Sequence, residues 1–132
     1  MALDRSDEVL NAAAVLVAAF ARHDVKAYFG AFAPDATFVF YNNDRILNSR
    51  AEYEQLWAAW EADGFQVLGC TSLEGVVQML GDDVGVFHHR VRTTLAGEGG
   101  RVETGERETI VFQRRNGVWY CVHEHLSADP SF

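Results

Sequence analysis

Cysteine and proline are scarce in this chain, with two of each in 132 residues. Cys70 and Cys121 lie far apart and neither has a CxxC or metal-spaced neighbour, so nothing points to a disulfide framework or a zinc module. Both read as free thiols acting as small core hydrophobes. Positive charge is also short: 11 Lys and Arg face 19 Asp and Glu, a net charge of −8. Nucleic acid and anionic membrane both need a positive field, so neither is expected as a partner. Arg114-Arg115 and Arg90/Arg92 are the local basic clusters. No apolar run approaches the ~20 residues of a bilayer span. The opening Met-Ala-Leu-Asp-Arg-Ser-Asp-Glu is polar and acidic, unlike a secretory leader, and a cytoplasmic protein is the expectation. The chain also lacks a linker, a repeat, a phosphate loop, a nucleophile elbow and a Ser/His/Asp pattern.

What is present is a globular composition, 48% hydrophobic with 12% aromatics. A single domain over residues 1–132 is expected, long enough to bury roughly two-thirds of its unfolded surface. Residues 7–22 show helical periodicity at Val9, Ala12, Ala13, Leu16 and Phe20, with Ser6 as cap. A short second helix follows Asp24, buries Tyr28, Phe29 and Phe32, and stops at Ala33-Pro34. Ala36–Tyr41 is a β-branched and aromatic strand, turned by Asn42-Asn43-Asp44. Ser49 and Glu52 form a capping box for a third helix that carries Tyr53, Leu56, Trp57 and Trp60 on one face. Beyond Gly64 the pattern is strand: Phe65–Leu80 with Gly69 and Gly75 marking bulges, then Val84–Leu95, then Arg101–Gln113. Helices first and a long meander afterwards define an α+β fold. A long bulged antiparallel sheet curls, so the expected shape is a cone, with about three N-terminal helices covering a curved antiparallel sheet and a pocket between them.

The C-terminal stretch RETIVFQRRNGVWYCVHEHLS is a hairpin turned at Asn116-Gly117. Its second strand ends in His123-Glu124-His125, ionisable groups inside an apolar element. Simple alternation points Trp119, Cys121, His123, His125 and Ser127 one way, and Tyr120, Val122, Glu124 and Leu126 the other. Two registers remain open. A bulge at Gly117 sets Glu124 opposite Glu108 and Ile110 opposite Val122; a tight two-residue loop sets Glu124 opposite Thr109 and Glu108 beside His125.

Three segments carry a family resemblance: the helix, Asp and strand opening over Arg22–Tyr41, the Gly81-Asp82-Asp83-Val84 turn, and the ending from Thr109 through Arg114-Arg115-Asn116-Gly117, Trp119, Val122-His123, His125 and Ser127 to Pro130. Together they resemble the nuclear transport factor 2-like superfamily, in particular its SnoaL-like small bacterial members and the association domain of calcium/calmodulin-dependent kinase II. The resemblance implies a cystatin-like cone and a homodimer through the sheet. It spans isomerases, dehydratases, cyclases, transport factors and hubs, so it does not choose an activity. The arginine-lined pocket of the kinase association domain maps here to Val91, Ile110 and Leu126, none of them basic. That leaves an apolar pocket with Glu124, Glu108 and His89 as its polar groups.

Glu124 reads either as a general acid or base, its pKa raised by an apolar pocket, or as a structural ion pair with Arg107, Arg90 or Arg92. His89 is the candidate catalytic companion. Tyr41 and Trp57 read as pocket walls or as core. His123 and His125 could chelate a metal at i, i+2 spacing, but no full ligand set accompanies them, so they read as a polar cluster on the second face or at an interface, with no metal and no cofactor expected. The aspartate, tyrosine and second aspartate of a ketosteroid isomerase-like site have no match. Two functions follow. One is a pocket protein for a small apolar, ring-containing molecule, with cofactor-free isomerase, cyclase or dehydratase chemistry. The other is a non-enzymatic dimerisation module. Arginine partners on Glu124 and Glu108 would favour the second.

Overall fold

The computed structural model describes residues 4–132. Residues 1–3, part of the segment read as unlike a secretory leader, lie outside the described residues. Helix α1 spans Arg5–Ala21, and its N-cap is Asp4, whose carboxylate accepts the Asp7 N–H at 2.9 Å. Ser6, the expected cap, instead donates its hydroxyl to the same carboxylate. Val9, Ala13, Leu16 and Ala19 form the buried stripe. Helix α2 is short, Val25–Gly30, and is capped by Asp24 accepting from Ala27 at 3.1 Å.

Strand β1 covers Phe32–Phe40 and so starts four residues before the expected Ala36. Its pairing is irregular between Phe32 and Thr37, the stretch that holds Pro34. An edge strand tolerates a residue without a ladder N–H, which is why Pro34 interrupts the pairing without ending the strand. Helix α3, Arg50–Ala62, begins as expected at Ser49, whose hydroxyl accepts the Glu52 N–H at 3.1 Å. Glu52 closes the reciprocal contact one residue early, on the Asn48 N–H.

The other strands are β2 (Gln66–Met79), β3 (Val84–Gly97), β4 (Gly100–Arg115) and β5 (Val118–Ala128), in sheet order β1-β5-β4-β3-β2. The meander β2 to β5 is antiparallel, but β1 runs parallel to β5, so the sheet is mixed at one edge. The cause is the connection. Helix α3 carries the chain across to the far edge, and the meander returns with its last strand running the same way as β1. Irregular pairing in β2 falls at Val67/Gly69 and Leu73/Val76, beside the two interior glycines. At Gly75 a β-carbon would stand 2.9 Å from the Phe87 ring, so the bulge is tied to a close approach that only glycine allows.

The helices cover one face of this curved sheet. Between the two layers sits a core of Val9, Leu16, Tyr28, Phe29, Phe32, Phe38, Phe40, Tyr53, Trp57, Phe87, Ile110, Phe112 and Cys121. Its aromatic rings meet edge-on or tilted, as between Phe38 and Tyr53 at 4.7 Å, and the Tyr28 and Tyr53 hydroxyls pair at 2.9 Å. No helix among the described residues is long and apolar enough to cross a membrane.

The last residues fold back onto the uncovered face. The Asp129 N–H donates to the Gly105 carbonyl at 3.0 Å, and its carboxylate takes Arg92 at 2.9 Å. The same carboxylate accepts the Ser131 N–H and hydroxyl, and the Phe132 ring lies over Gly105 and under the Arg92 guanidinium. The two Ser131 donors, then Arg92 and Arg90, hold the Asp129 carboxyl well below the ordinary carboxylate range.

Two expectations follow. Ser49→Ala removes the cap of α3 and should lower stability by about 1 kcal/mol in urea unfolding. Asp129→Asn should lower Tm at neutral pH. A carboxylate with a depressed folded pKa stabilises above its unfolded pKa and loses that contribution as pH falls, so the deficit should shrink below pH 3.8. A deficit that stayed constant with pH would show that the charge of Asp129 contributes nothing.

Candidate functional site

The core does not fill the space between the helices and the sheet. A cavity of about 470 Å³ remains, walled by Leu16, Phe20, Trp60 and Phe65 from the helical layer and by Val91, Leu95 and Leu126 from the sheet. That volume suits a small organic molecule. Three glutamates reach it from the sheet: Glu106 and Glu108 on β4 and Glu124 on β5.

Glu124 gets there by a route that alternation along β5 does not foresee. The hairpin turns tightly at Asn116-Gly117, both at positive φ (51° and 79°), and Arg115 faces Val118. That is the two-residue loop, of the primed type. Phe112 then faces Cys121 but Val111 faces His123, so Val122 is an extra residue in β5. Neither register written from the sequence therefore holds along the whole hairpin. Glu124 ends opposite Ile110, and Glu108 opposite Leu126. The bulge also corrects the expected parity. Cys121 and Glu124, separated by three positions, both face the helices, while His123 and His125 face away.

Glu124 is 3% exposed, and no N–H or O–H donor of the described residues other than a carboxyl group reaches its side chain. Arg90 and Arg92 serve Glu74 and Asp129 on the opposite face, so the expected alternative of an arginine pair is not formed. The immediate polar neighbour of Glu124 is Glu108. Burial first, and then the adjacent Glu108, push the Glu124 carboxyl well above its usual range. Glu108 is differently placed, because its carboxylate accepts the His89 Nε2–H at 2.7 Å. His89 is fixed in turn by the Ser72 hydroxyl, 2.6 Å from Nδ1, and its own side chain is fully buried. The chain of contacts Ser72, His89, Glu108 tethers one carboxylate beside another that burial favours in its neutral form. Ser72 does not line the cavity, so this alignment is not that of a serine nucleophile.

Glu106 completes the acidic group. Burial raises its pKa, and the Tyr41 hydroxyl, which donates to it at 2.8 Å, opposes that shift. Tyr41 itself is half-exposed and stands behind Glu106 rather than on the cavity wall, its phenol pushed up to about 12 by burial and by that contact. Trp57, expected at the pocket, is buried in the core, where it packs against Phe20 and Tyr28; Trp60, one turn on, takes the wall position. Ile110 likewise lies fully buried beneath the cavity floor, whereas Val91 and Leu126 line it. On the far face His123 Nδ1 meets the Thr37 hydroxyl at 2.8 Å, and His125 is exposed beside Ser127 and Thr109. Among the described residues no three His, Cys, Asp or Glu side chains are grouped to hold a metal ion. Cys70 lines the cavity with its thiol pushed up to about 11 by burial, a poor nucleophile.

Glu106 was missed by the sequence reading although a signal existed: Glu106 and Glu108 alternate, which places both on one face of a strand. Cys70 and Phe65 gave no comparable signal.

A curved mixed sheet, three helices over one face and a hollow between the layers define a cone of the α+β class. The model of the SnoaL-like domain matches residues 9–130, and the chain belongs to that family. Similar solved structures include a nuclear transport factor 2-like protein from Cytophaga hutchinsonii, 12% identical over 96% of this chain and 100% of the other, with a TM-score of 0.80. Another is a nuclear transport factor 2-like protein from Rhodospirillum rubrum, 22% identical over 92% and 98%, TM-score 0.78. The hub of S. rosetta calcium/calmodulin-dependent kinase II is 21% identical over 98% and 100%, TM-score 0.77. Identities this low establish a shared fold. No curated protein matches the chain by sequence.

The Glu124 environment has a consequence for stability. Its folded pKa is raised above the unfolded 4.5, so the folded state keeps a proton that the unfolded chain releases as pH climbs. The contribution is complete below that value and is lost as pH rises through the folded pKa. Glu124→Gln cannot ionise, so its Tm should gain on the wild type as pH rises above 4.5 toward the raised folded pKa of Glu124. Parallel Tm curves for the two proteins would show that Glu124 is ordinarily ionised.

Proposed function

We propose that this chain, as one domain over residues 1–132, is a cytoplasmic pocket protein that binds a small apolar, ring-containing molecule and carries out cofactor-free acid/base chemistry on it. One observation carries the reading: two carboxyl groups share an apolar cavity in unlike environments, Glu124 buried without a counter-ion and Glu108 held by His89. Environments that divide two carboxyls in this way divide the roles of acid and base. Glu124 is then the acid and Glu108 the base, and both are catalytic residues. His89 is a positioning residue that orients Glu108, and Tyr41 positions Glu106. Phe20, Trp60 and Phe65 pack the ligand.

The reaction class is a proton transfer that needs both groups at once. In an isomerisation, Glu108 takes a proton from carbon next to a carbonyl while Glu124 gives its proton to the carbonyl oxygen. Glu108 then returns its proton to a different carbon while Glu124 takes back the enol proton, which restores both residues. In a dehydration, the Glu124 proton leaves with the hydroxyl, and the proton on Glu108 passes to Glu124 to complete the cycle.

A homodimer through the uncovered face of the sheet belongs to the same proposal, with His123 and His125 at that face. The fold is shared with a kinase hub, which is the support for self-association. A purely structural module is the second reading. The open cavity and the absence of arginine partners on Glu108 and Glu124 favour the pocket over it.

Native mass spectrometry of the freshly purified protein tests the proposal, with the denatured mass as reference. A dimer carrying a retained small molecule is the expected result. Turnover or solvent-deuterium exchange found with that molecule should fall by about 10²- to 10⁴-fold in Glu124→Gln. Unchanged binding and unchanged turnover in that variant would remove Glu124 from the mechanism, and a monomer at micromolar concentration would rule out the dimer.

A further inference from the structure

The charge of the cavity is one-sided. Asp63, Glu106, Glu108 and Glu124 border it, and no Lys, Arg or His is among its lining residues. Among the described residues, the basic group that touches the cluster is His89, which lies behind Glu108 and donates to one of its oxygens. The arginines of the sheet that form ion pairs do so elsewhere, among them Arg92 on Asp129, Arg90 on Glu74 and Arg115 on Asp35. The remaining wall is uncharged and mainly apolar, with Phe20, Trp60 and Phe65 around the hollow and the neutral side chains of Tyr28, Tyr53, Thr93 and Asn42 at its border.

A buried carboxyl without a donor is costly, and here the carboxyl is aimed into an open hollow. Glu124 is 3% exposed and meets only another carboxyl group. A protein interior normally supplies a cation or several N–H groups to such a residue. This one leaves the position vacant inside a space of about 470 Å³ that could hold the missing partner. Aromatic faces add to the preference, because their quadrupoles attract a cation and not an anion. The net charge of −8 acts in the same direction at longer range.

We propose that the ligand of this cavity is an apolar organic cation, an amine whose ammonium group sits between Glu108 and Glu124 and whose hydrocarbon part packs on the aromatic wall. The inference rests on the pocket reading and adds the chemical class of the ligand. As the amine binds, Glu124 releases its proton to solvent, and the ammonium donates N–H bonds to both carboxylates and supplies the counter-ion that the fold withholds. An anion is repelled by the same groups, and a neutral alcohol of equal shape gains the apolar contacts alone.

Three probes of matched shape separate these cases: 4-phenylbutylamine, 4-phenylbutan-1-ol and 4-phenylbutyrate. Each is titrated into the full-length protein near neutral pH, by calorimetry and by Trp fluorescence. The amine should bind about tenfold or more tightly than the alcohol, and the carboxylate most weakly. In Glu124→Gln and Glu108→Gln the advantage of the amine should shrink toward parity, with the alcohol retained. The wild-type comparison needs no variant, and a Tm measurement confirms that either variant used is folded. Equal binding of amine and alcohol would overturn the cation and leave the pocket reading standing. Tightest binding by the carboxylate would overturn it by reversing the sign. Failure of all three probes to bind would overturn this inference and the pocket reading together.

Discussion

A single extra residue in the last strand governs the site. Val122 has no partner on β4, and its insertion turns the chain over so that Cys121 and Glu124 face the same layer. Without the bulge, the alternation of the strand would send Glu124 to the face opposite Cys121, and His123 and His125 would face the helices. The bulge also brings Glu124 beside Glu108, one strand away and two residues offset. The unlike environments of the two carboxyls, the acidity of the cavity and the exposure of the histidines on the other face all descend from that one irregularity.

The sheet separates charge by face. On the helical side, Glu106, Glu108 and Glu124 converge on an apolar hollow with only His89 to meet them. On the other side, Arg90 and Arg92 gather Glu74, Asp129 and the end of the chain. Neutralisation on the outer face is local and hydrogen-bonded, whereas on the inner face Glu124 meets another carboxyl group and no cation among the described residues. Folded proteins seldom leave a carboxyl in that condition, because desolvation favours its neutral form at the expense of stability. Where such a group borders a cavity, the cost is commonly linked to the work of the site.

The family relation and the site speak to different questions. Membership in the SnoaL-like domain family and the likeness to a kinase hub and to nuclear transport factor 2-like proteins place the chain in a shared cone fold. They say nothing about what enters the hollow, because the same framework carries many side-chain sets. Val91 and Leu126 on the cavity wall are apolar here, and the charged groups beside them are acids. Chemistry on this scaffold is thus decided by a handful of inward-facing positions on β3, β4 and β5.

Much of the framework was legible in the chain, because it depends on interactions between near neighbours. Asp24 and Ser49 at helix starts, the Asn116-Gly117 turn, the bulges beside Gly69 and Gly75, and the order of helices and strands are all local, and the structure carries each of them. So is the apolar periodicity that buries Val9, Ala13 and Leu16. Where Pro34 interrupts the pairing, and where Trp60 lines the hollow in place of Trp57, local pattern was insufficient, since edge position and helix rotation are set by packing between layers. The sequence by itself determined which elements form and that Glu124 would be an unusual residue. Only the tertiary structure decided that Glu124 faces the cavity, that Glu108 is its neighbour and that no arginine of the described residues pairs with either. Those facts depend on one unpaired residue in a ladder between strands, and a ladder register is a property of two strands together that neither strand encodes alone.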